Sequence, residues 1–241
     1  KYRYYYTEGG IGYTTGEVKK SYQMKEKAQF MVIKAFSRHG IGLHIDDGCM
    51  GGGGPINFYE KKLCYEPRNG DDNDFYDIKW GNDWDKDNND FLTDDEKSEL
   101  SGNHFSTDRW GIFKYCLFGD MFYVENDDSI QAKIFGGRLG MGEIITNDTD
   151  AEGGDDIRIS VGHPLITSST SQAGVFMHEL GHTLALTHYD TKNYWKMARG
   201  DATHESCMSY ALITRYVNYA DFEWDQNNHK GIEIKTNTFM N

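Results

Sequence analysis

Between Met177 and His188 the chain reads MHELGHTLALTH, three imidazoles and one carboxylate in a single short run. On a helix, His178 and His182 stand four residues apart, about 40° from alignment, so both project from one face. That arrangement offers two nitrogen ligands to one Zn²⁺ ion. Glu179 is turned about 100° from His178, near such a metal without pointing straight at it. A carboxylate there can take a proton from water on the metal without filling a coordination place. The competing account is two ordinary histidines beside a glutamate, because a bare H-E-x-x-H string recurs by chance. His188 separates the two. On a continuing helix it would lie about 240° around from His182 and miss the metal. It can join only if the helix ends after about Leu184 and the chain turns back.

The elements that must hold these groups can be read around them. Ser169 and Gln172 have the capping-box form ahead of AGVFMHELGHTLAL, predicting a helix with Phe176, Leu180 and Leu184 on one stripe. From about Tyr22 to Phe36, the residues Met24, Ala28, Met31, Val32, Ala35 and Phe36 recur at helical spacing, and Gly40 supplies a stop. Ile41, Leu43 and Ile45 alternate, predicting a strand that ends at Asp46. DIRISV predicts another, with Ile157, Ile159 and Val161 opposed to Arg158 and Ser160. The opening KYRYYYTE alternates weakly, with Tyr on both faces. WGIFKYCLFGDMFYV, residues 110–124, is a buried run whose period does not separate helix from strand. The glycine-rich GCMGGGGPIN lacks the Lys-Ser/Thr and helix of a phosphate cradle and reads as a surface loop.

With these motifs in order, the chain resembles the metzincin metalloproteases, whose signature is HExxHxxGxxH followed by a Met-turn. His178, Glu179, His182 and His188 stand at the matching places, and SCMSY at 206–210 is similar to the Met-turn. Its M-x-Y form is that of astacins and serralysins. The resemblance spans most of residues 22–215, with 178–188 and 206–210 as its specific parts. It implies an α+β fold: a mixed twisted sheet with a backing helix, and a zinc-binding helix above a cleft. An upper lobe, 1–188, would stand over a small irregular lower lobe, 189–241. It also implies a zinc endopeptidase with His178, His182 and His188 as ligands and Glu179 as the base that passes its proton to the leaving amine. Met208 would form a soft apolar floor, and Tyr210 would reach the zinc or the oxyanion. A protein or peptide substrate would lie extended along a sheet edge, for which residues 135–144 are the candidate.

One position departs from the family pattern. Ala185 stands where the family carries the glycine that lets the helix end in a left-handed turn. An alanine there costs about 1–2 kcal/mol, small beside the roughly 10 kcal/mol of a zinc site. The expectation is a strained turn that still forms. Should His188 fail, Asp190, His204 or Glu205 would be the replacements. The calcium-binding repeats of serralysins and a cysteine-switch motif are not in the sequence.

A second metal motif lies at DKDNNDFLTDDE, which matches an EF-hand calcium loop. Asp85, Asp87 and Asn89 take the alternating early positions, and Phe91 offers its carbonyl. Thr93 and the bidentate Glu96 follow. Asp90 replaces the usual glycine, and aspartate tolerates the left-handed backbone needed there. No clear helix enters before Asp85, so the expectation is a single structural Ca²⁺ and not a paired switch. The other acidic stretches, 125–129 and 147–156, lack a full ligand pattern and read as solvated surface.

Composition bounds the rest. The 241 residues carry 38 acidic and 25 basic side chains, a net charge of −13, which argues against a nucleic-acid surface. No apolar run reaches membrane-spanning length. The chain begins at Lys1 with no methionine, as a processed product would, and a secreted or cell-surface monomer is expected. Cys49, Cys64, Cys116 and Cys207 form no CxxC pair. They admit two disulfides, with Cys49–Cys64 as the local bridge, or four thiols. The rival function is a non-catalytic, metzincin-like binding protein with structural zinc and calcium.

Overall fold

The structure, a computed structural model, describes residues 22–47, 62–64, 74–80, 105, 109, 112–124, 129–143, 156–184, 186, 188, 205–210, 212–220 and 224. The expected opening strand, the glycine-rich loop, the calcium loop 85–96 and Ala185 lie outside these residues. The chain divides into two compact units, one of Lys1–Lys25, His44–Leu139 and Arg158–Pro164, the other of Glu26–Leu43, Gly140–Ile157 and Leu165–Asn241.

In the first unit, β1 (Lys62–Cys64) and α2 (Asp74–Trp80) precede β2 (Tyr115–Gly119) and β3 (Met121–Tyr123). β1 pairs in parallel with β3, Leu63 opposite Phe122. Within the ambiguous run 110–124, two short strands therefore form, broken at Asp120. Strands this short carry too few alternations to declare a period. The core of this unit is aromatic. Phe105 packs on Trp80 and on Tyr115, with centroids 5.8 and 5.2 Å apart, and Phe75 lies 5.6 Å from Tyr115. Two buried cations sit against the rings: the Arg158 guanidinium 3.8 Å from the Phe75 centroid and the Lys79 ammonium 4.4 Å from that of Trp80. A one-and-a-half-turn helix, α3 (Ile130–Phe135), is capped by the Ser129 hydroxyl and stopped by Gly136 at φ 74°.

β4 (Gly140–Gly142) and β5 (Asp156–Ser160) complete a three-stranded mixed sheet in the order β2-β5-β4. β5 corrects the alternation read from DIRISV, because all five of its residues are buried. As the middle strand it has no solvent edge. Arg158 stacks on Phe75, and the Ser160 hydroxyl accepts a 2.8 Å bond from the Phe122 N–H. Local polarity mispredicted both because each finds a specific buried partner.

The second unit is built on two helices, α1 (Glu26–Arg38) and α4 (Ser169–His182). α1 forms as its periodicity predicts, burying Ala28, Val32, Ala35 and Phe36, and Gly40 ends it at φ 75°. Ile41–Ile45 is a correction: alternate residues are half-buried, yet the segment joins no strand among the described residues. α4 is capped one residue before the expected position, by Ser168. Ser168 and Ser171 bond reciprocally, each hydroxyl accepting from the other's N–H at 3.0 and 2.9 Å. Gln172, expected in that cap, is instead fully buried. Every residue from Ser171 to His182 is buried, so the stripe through Phe176 and Leu180 understates the packing. α1, β4 and the segment 206–219 cover different sides of α4.

Two helical glycines make that closeness workable. A Cβ on Gly174 would collide with the backbone carbonyl oxygens of Ile213 and Tyr216, and one on Gly181 would collide with the Met208 sulfur. Gly142 of β4 likewise runs against the Glu179 carbonyl. Gly174→Ala should therefore lower stability by about 2 kcal/mol, although alanine is worth about 1 kcal/mol more than glycine in a helix. Urea unfolding checks this; an unchanged or raised midpoint would show that the 213–216 backbone is not held where it lies.

Candidate metal centre

α4 ends where the centre begins. His178 and His182 project from its last turns, and Thr183 caps it with helical backbone angles of −70° and −7°. The Gly181 carbonyl then accepts from two N–H groups, Leu184 at 3.0 Å and Leu186 at 2.9 Å. This double bond to one acceptor folds the chain back across the helix end, two residues earlier than Leu184. His188 follows on the returning segment. Ala185, expected to strain this turn, lies outside the described residues.

The three imidazoles meet. The Nε2 atoms of His178 and His182 are 3.2 Å apart, and those of His178 and His188 are 2.9 Å apart. His178 and His182 are buried, His188 half-buried. Backbone carbonyls fix two of the tautomers. The His178 Nδ1 lies 2.7 Å from the Cys207 oxygen and the His182 Nδ1 lies 2.9 Å from the Leu186 oxygen. A carbonyl only accepts, so each Nδ1 carries the hydrogen and donates it. Each Nε2 is then left with a lone pair aimed at its neighbour.

Electrostatics keep the rings neutral. Burial, and then the neighbouring His182 and His188, hold the His178 pKa well below the usual 6.5. Burial lowers that of His182 too, partly offset by the Leu186 carbonyl. His188 is brought to about 4 by burial and by His182. The His178 and His182 Nε2 atoms, both without hydrogen, cannot bond each other, whereas a cation between the three rings would satisfy all of them at once. With Zn–N bonds of about 2.0–2.1 Å, tetrahedral ligands lie roughly 3.3 Å apart; the two separations from His178 are close to this, and all three ligand atoms lie within 4.8 Å of one another. The donor set fits a zinc ion, and these three histidines can hold a metal.

The segment 205–210 supports this centre from below. The Cys207 N–H bonds the Asn218 carbonyl at 2.8 Å, anchoring the residue whose carbonyl oxygen holds His178. Met208 is fully buried, its N–H on the Ser206 hydroxyl and its sulfur beside Gly181. The Tyr210 ring lies 4.2 Å from His188 and 5.6 Å from His178, centroid to centroid, and is 38% exposed. Glu179 is buried at 4% exposure, beside His178 in sequence and outside the ligand cluster. Of the replacement ligands, Glu205 is exposed and also outside that cluster, while Asp190 and His204 lie beyond the described residues. So do Asp85, Asp87, Asn89, Phe91, Thr93 and Glu96. Cys116 and Cys207 are thiols, which removes them from the two-disulfide scheme.

Sequence inspection missed the two carbonyls, Cys207 and Leu186, that set the tautomers. Backbone oxygens carry no residue signature. It also passed over Tyr219, whose hydroxyl donates to the Met177 carbonyl at 2.6 Å. Gly174 and Gly181 were legible signals, since an isolated glycine in a helical pattern marks close packing. Comparison of the chain with protein-family models, with curated proteins and with solved structures finds no match.

A pH dependence follows. The folded pKa values of these histidines lie below the unfolded value of 6.5, so protons favour the unfolded chain. Stability of the metal-free protein is full above pH 6.5 and falls as the pH drops towards about 4. Urea midpoints measured across that window should decline, and His188→Gln should make the decline shallower. A midpoint that rises on acidification would contradict the buried neutral cluster.

Proposed function

We propose that the chain is a zinc-dependent endopeptidase of the metzincin type. The observation that carries this is the convergence of three Nε2 atoms, two with tautomers locked by carbonyls, beside a buried glutamate that is not a ligand. A merely structural site has no use for a base next to the metal.

His178, His182 and His188 would hold the zinc, which would supply Lewis acidity to a water and to a scissile carbonyl. Glu179 takes the proton from the attacking water and returns it to the leaving amine. The Tyr210 phenol donates a hydrogen bond to the oxyanion as charge builds there. β4 orients the substrate. Glu143 N–H bonds the Asp156 carbonyl and the Leu139 carbonyl accepts from Ser160, so odd-numbered positions face β5. The backbone groups of Gly140 and Gly142 then point the other way. They offer an extended peptide a pairing edge that passes the Glu179 turn of α4. In the same reading, residues 85–96 hold a structural calcium, 189–241 form the lower lobe, and the protein works outside the cell as a monomer.

The test is cleavage of an unfolded protein alongside metal content. Wild type should contain one zinc and cleave; Glu179→Ala should keep the zinc and lose activity by about 10²–10⁴-fold. His188→Ala should lose the zinc. If wild type and Glu179→Ala both hold zinc and are equally inert, the non-catalytic binding protein is the correct reading. Asp87→Ala should abolish any rise in thermal midpoint that calcium gives the wild type; a preserved rise would remove calcium from that loop.

A further inference from the structure

The outer face of α1 carries a groove unrelated to the metal centre. Its volume is about 360 Å³, and it is lined by Lys27, Phe30, Met31, Lys34 and Arg38 with Val217 opposite. At 100° per residue, the five helical positions fall within about 100° of arc, turned away from the buried Ala28, Val32, Ala35 and Phe36. Phe30 is 64% exposed, with the Lys34 ammonium 6.0 Å from its ring centroid. Three cations and no anion line this groove in a chain of net charge −13. Glu26, the one acidic residue of α1, lies outside the arc.

We propose that this groove docks an acidic peptide segment of a partner protein in extended form. The spacing sets the sequence it takes. Lys27 to Lys34 spans about 10 Å of helix axis and Lys34 to Arg38 about 6 Å. At about 3.3 Å per residue, and with side chains alternating between faces, every second residue of an extended chain, about 6.6 Å apart, meets the groove. A carboxylate at the first position then reaches Lys27, an apolar side chain at the third lies over Phe30 and Met31, and a carboxylate at the fifth falls between Lys34 and Arg38. Concavity favours a peptide over a flat membrane surface, and charge complementarity favours carboxylates.

A fluorescent pentapeptide of that pattern, Glu-Ser-Leu-Ser-Glu, tested by anisotropy on the full chain, should bind saturably and weaken with salt. Lys34→Glu should weaken binding by at least about tenfold and Phe30→Ser by several-fold, as should scrambling the peptide. Far-UV circular dichroism and the unfolding midpoint of both variants should match wild type, since both side chains are on the surface. Absence of saturable binding, or indifference to Lys34→Glu, overturns the proposal. So does a preference for phosphatidylserine vesicles over the peptide through the same residues, or a dimer that Lys34→Glu dissociates.

Discussion

Two nitrogen lone pairs aimed at each other across 3.2 Å repel, and the arrangement at the end of α4 is one that a cation between them would relieve. Neither ring can escape by changing tautomer. His178 is committed to the Cys207 carbonyl and His182 to the Leu186 carbonyl, and exchanging either hydrogen would leave a buried carbonyl facing a lone pair. Nor can protonation relieve it cheaply, since burial opposes charging every ring of the cluster. A metal cation resolves the conflict, because it accepts all the lone pairs and leaves each Nδ1 bond intact.

The surrounding packing keeps that conflict in place. A helix buried on every side has little freedom to rotate its ligands apart, and α4 is buried from Ser171 onward. Gly174 and Gly181 weaken the helix by about 1 kcal/mol each relative to alanine. In return they let the Ile213–Tyr216 backbone and the Met208 side chain come against the helix axis. Tyr219 joins the two structures, with its ring edge-on to Phe36 of α1 and its hydroxyl on Met177, the residue before the first ligand. The position of His178 is thereby tied to the core of its unit and not to one loop.

Sequence patterns disclosed those features that depend on spacing. The four-residue interval of His178 and His182, the turn that His188 demands, and the stop at Gly40 each follow from helical geometry. Features that depend on a partner elsewhere in the chain stayed hidden. Arg158 and Ser160 read as solvent-facing because nothing local announces Phe75 or the Phe122 N–H. Gln172 read as a cap because Ser168-x-x-Ser171 offers an equivalent box one residue earlier, and the structure uses that one. Ile41–Ile45 alternates as a strand would, and its burial alternates too, yet alternation specifies a face and not a neighbour.

Why the third ligand must leave the helix is itself informative. Histidines at i, i+4 and i+8 on a straight helix would spread about 12 Å along its axis, too far to surround one ion. Bending the chain at Gly181 brings His188 beside His178 instead, so all three nitrogens approach from the side of α4 and its return segment. The three histidines would then take neighbouring ligand positions on an ion and leave the side away from that support to other ligands. Among the described residues, no other histidine, cysteine or carboxylate joins the cluster, although Glu179 is adjacent to a ligand in sequence. Tyr210, the exposed ring packed on His188, marks the solvent side of the group. A metal site closed by four protein ligands would need another donor there, and among the described residues the cluster supplies three.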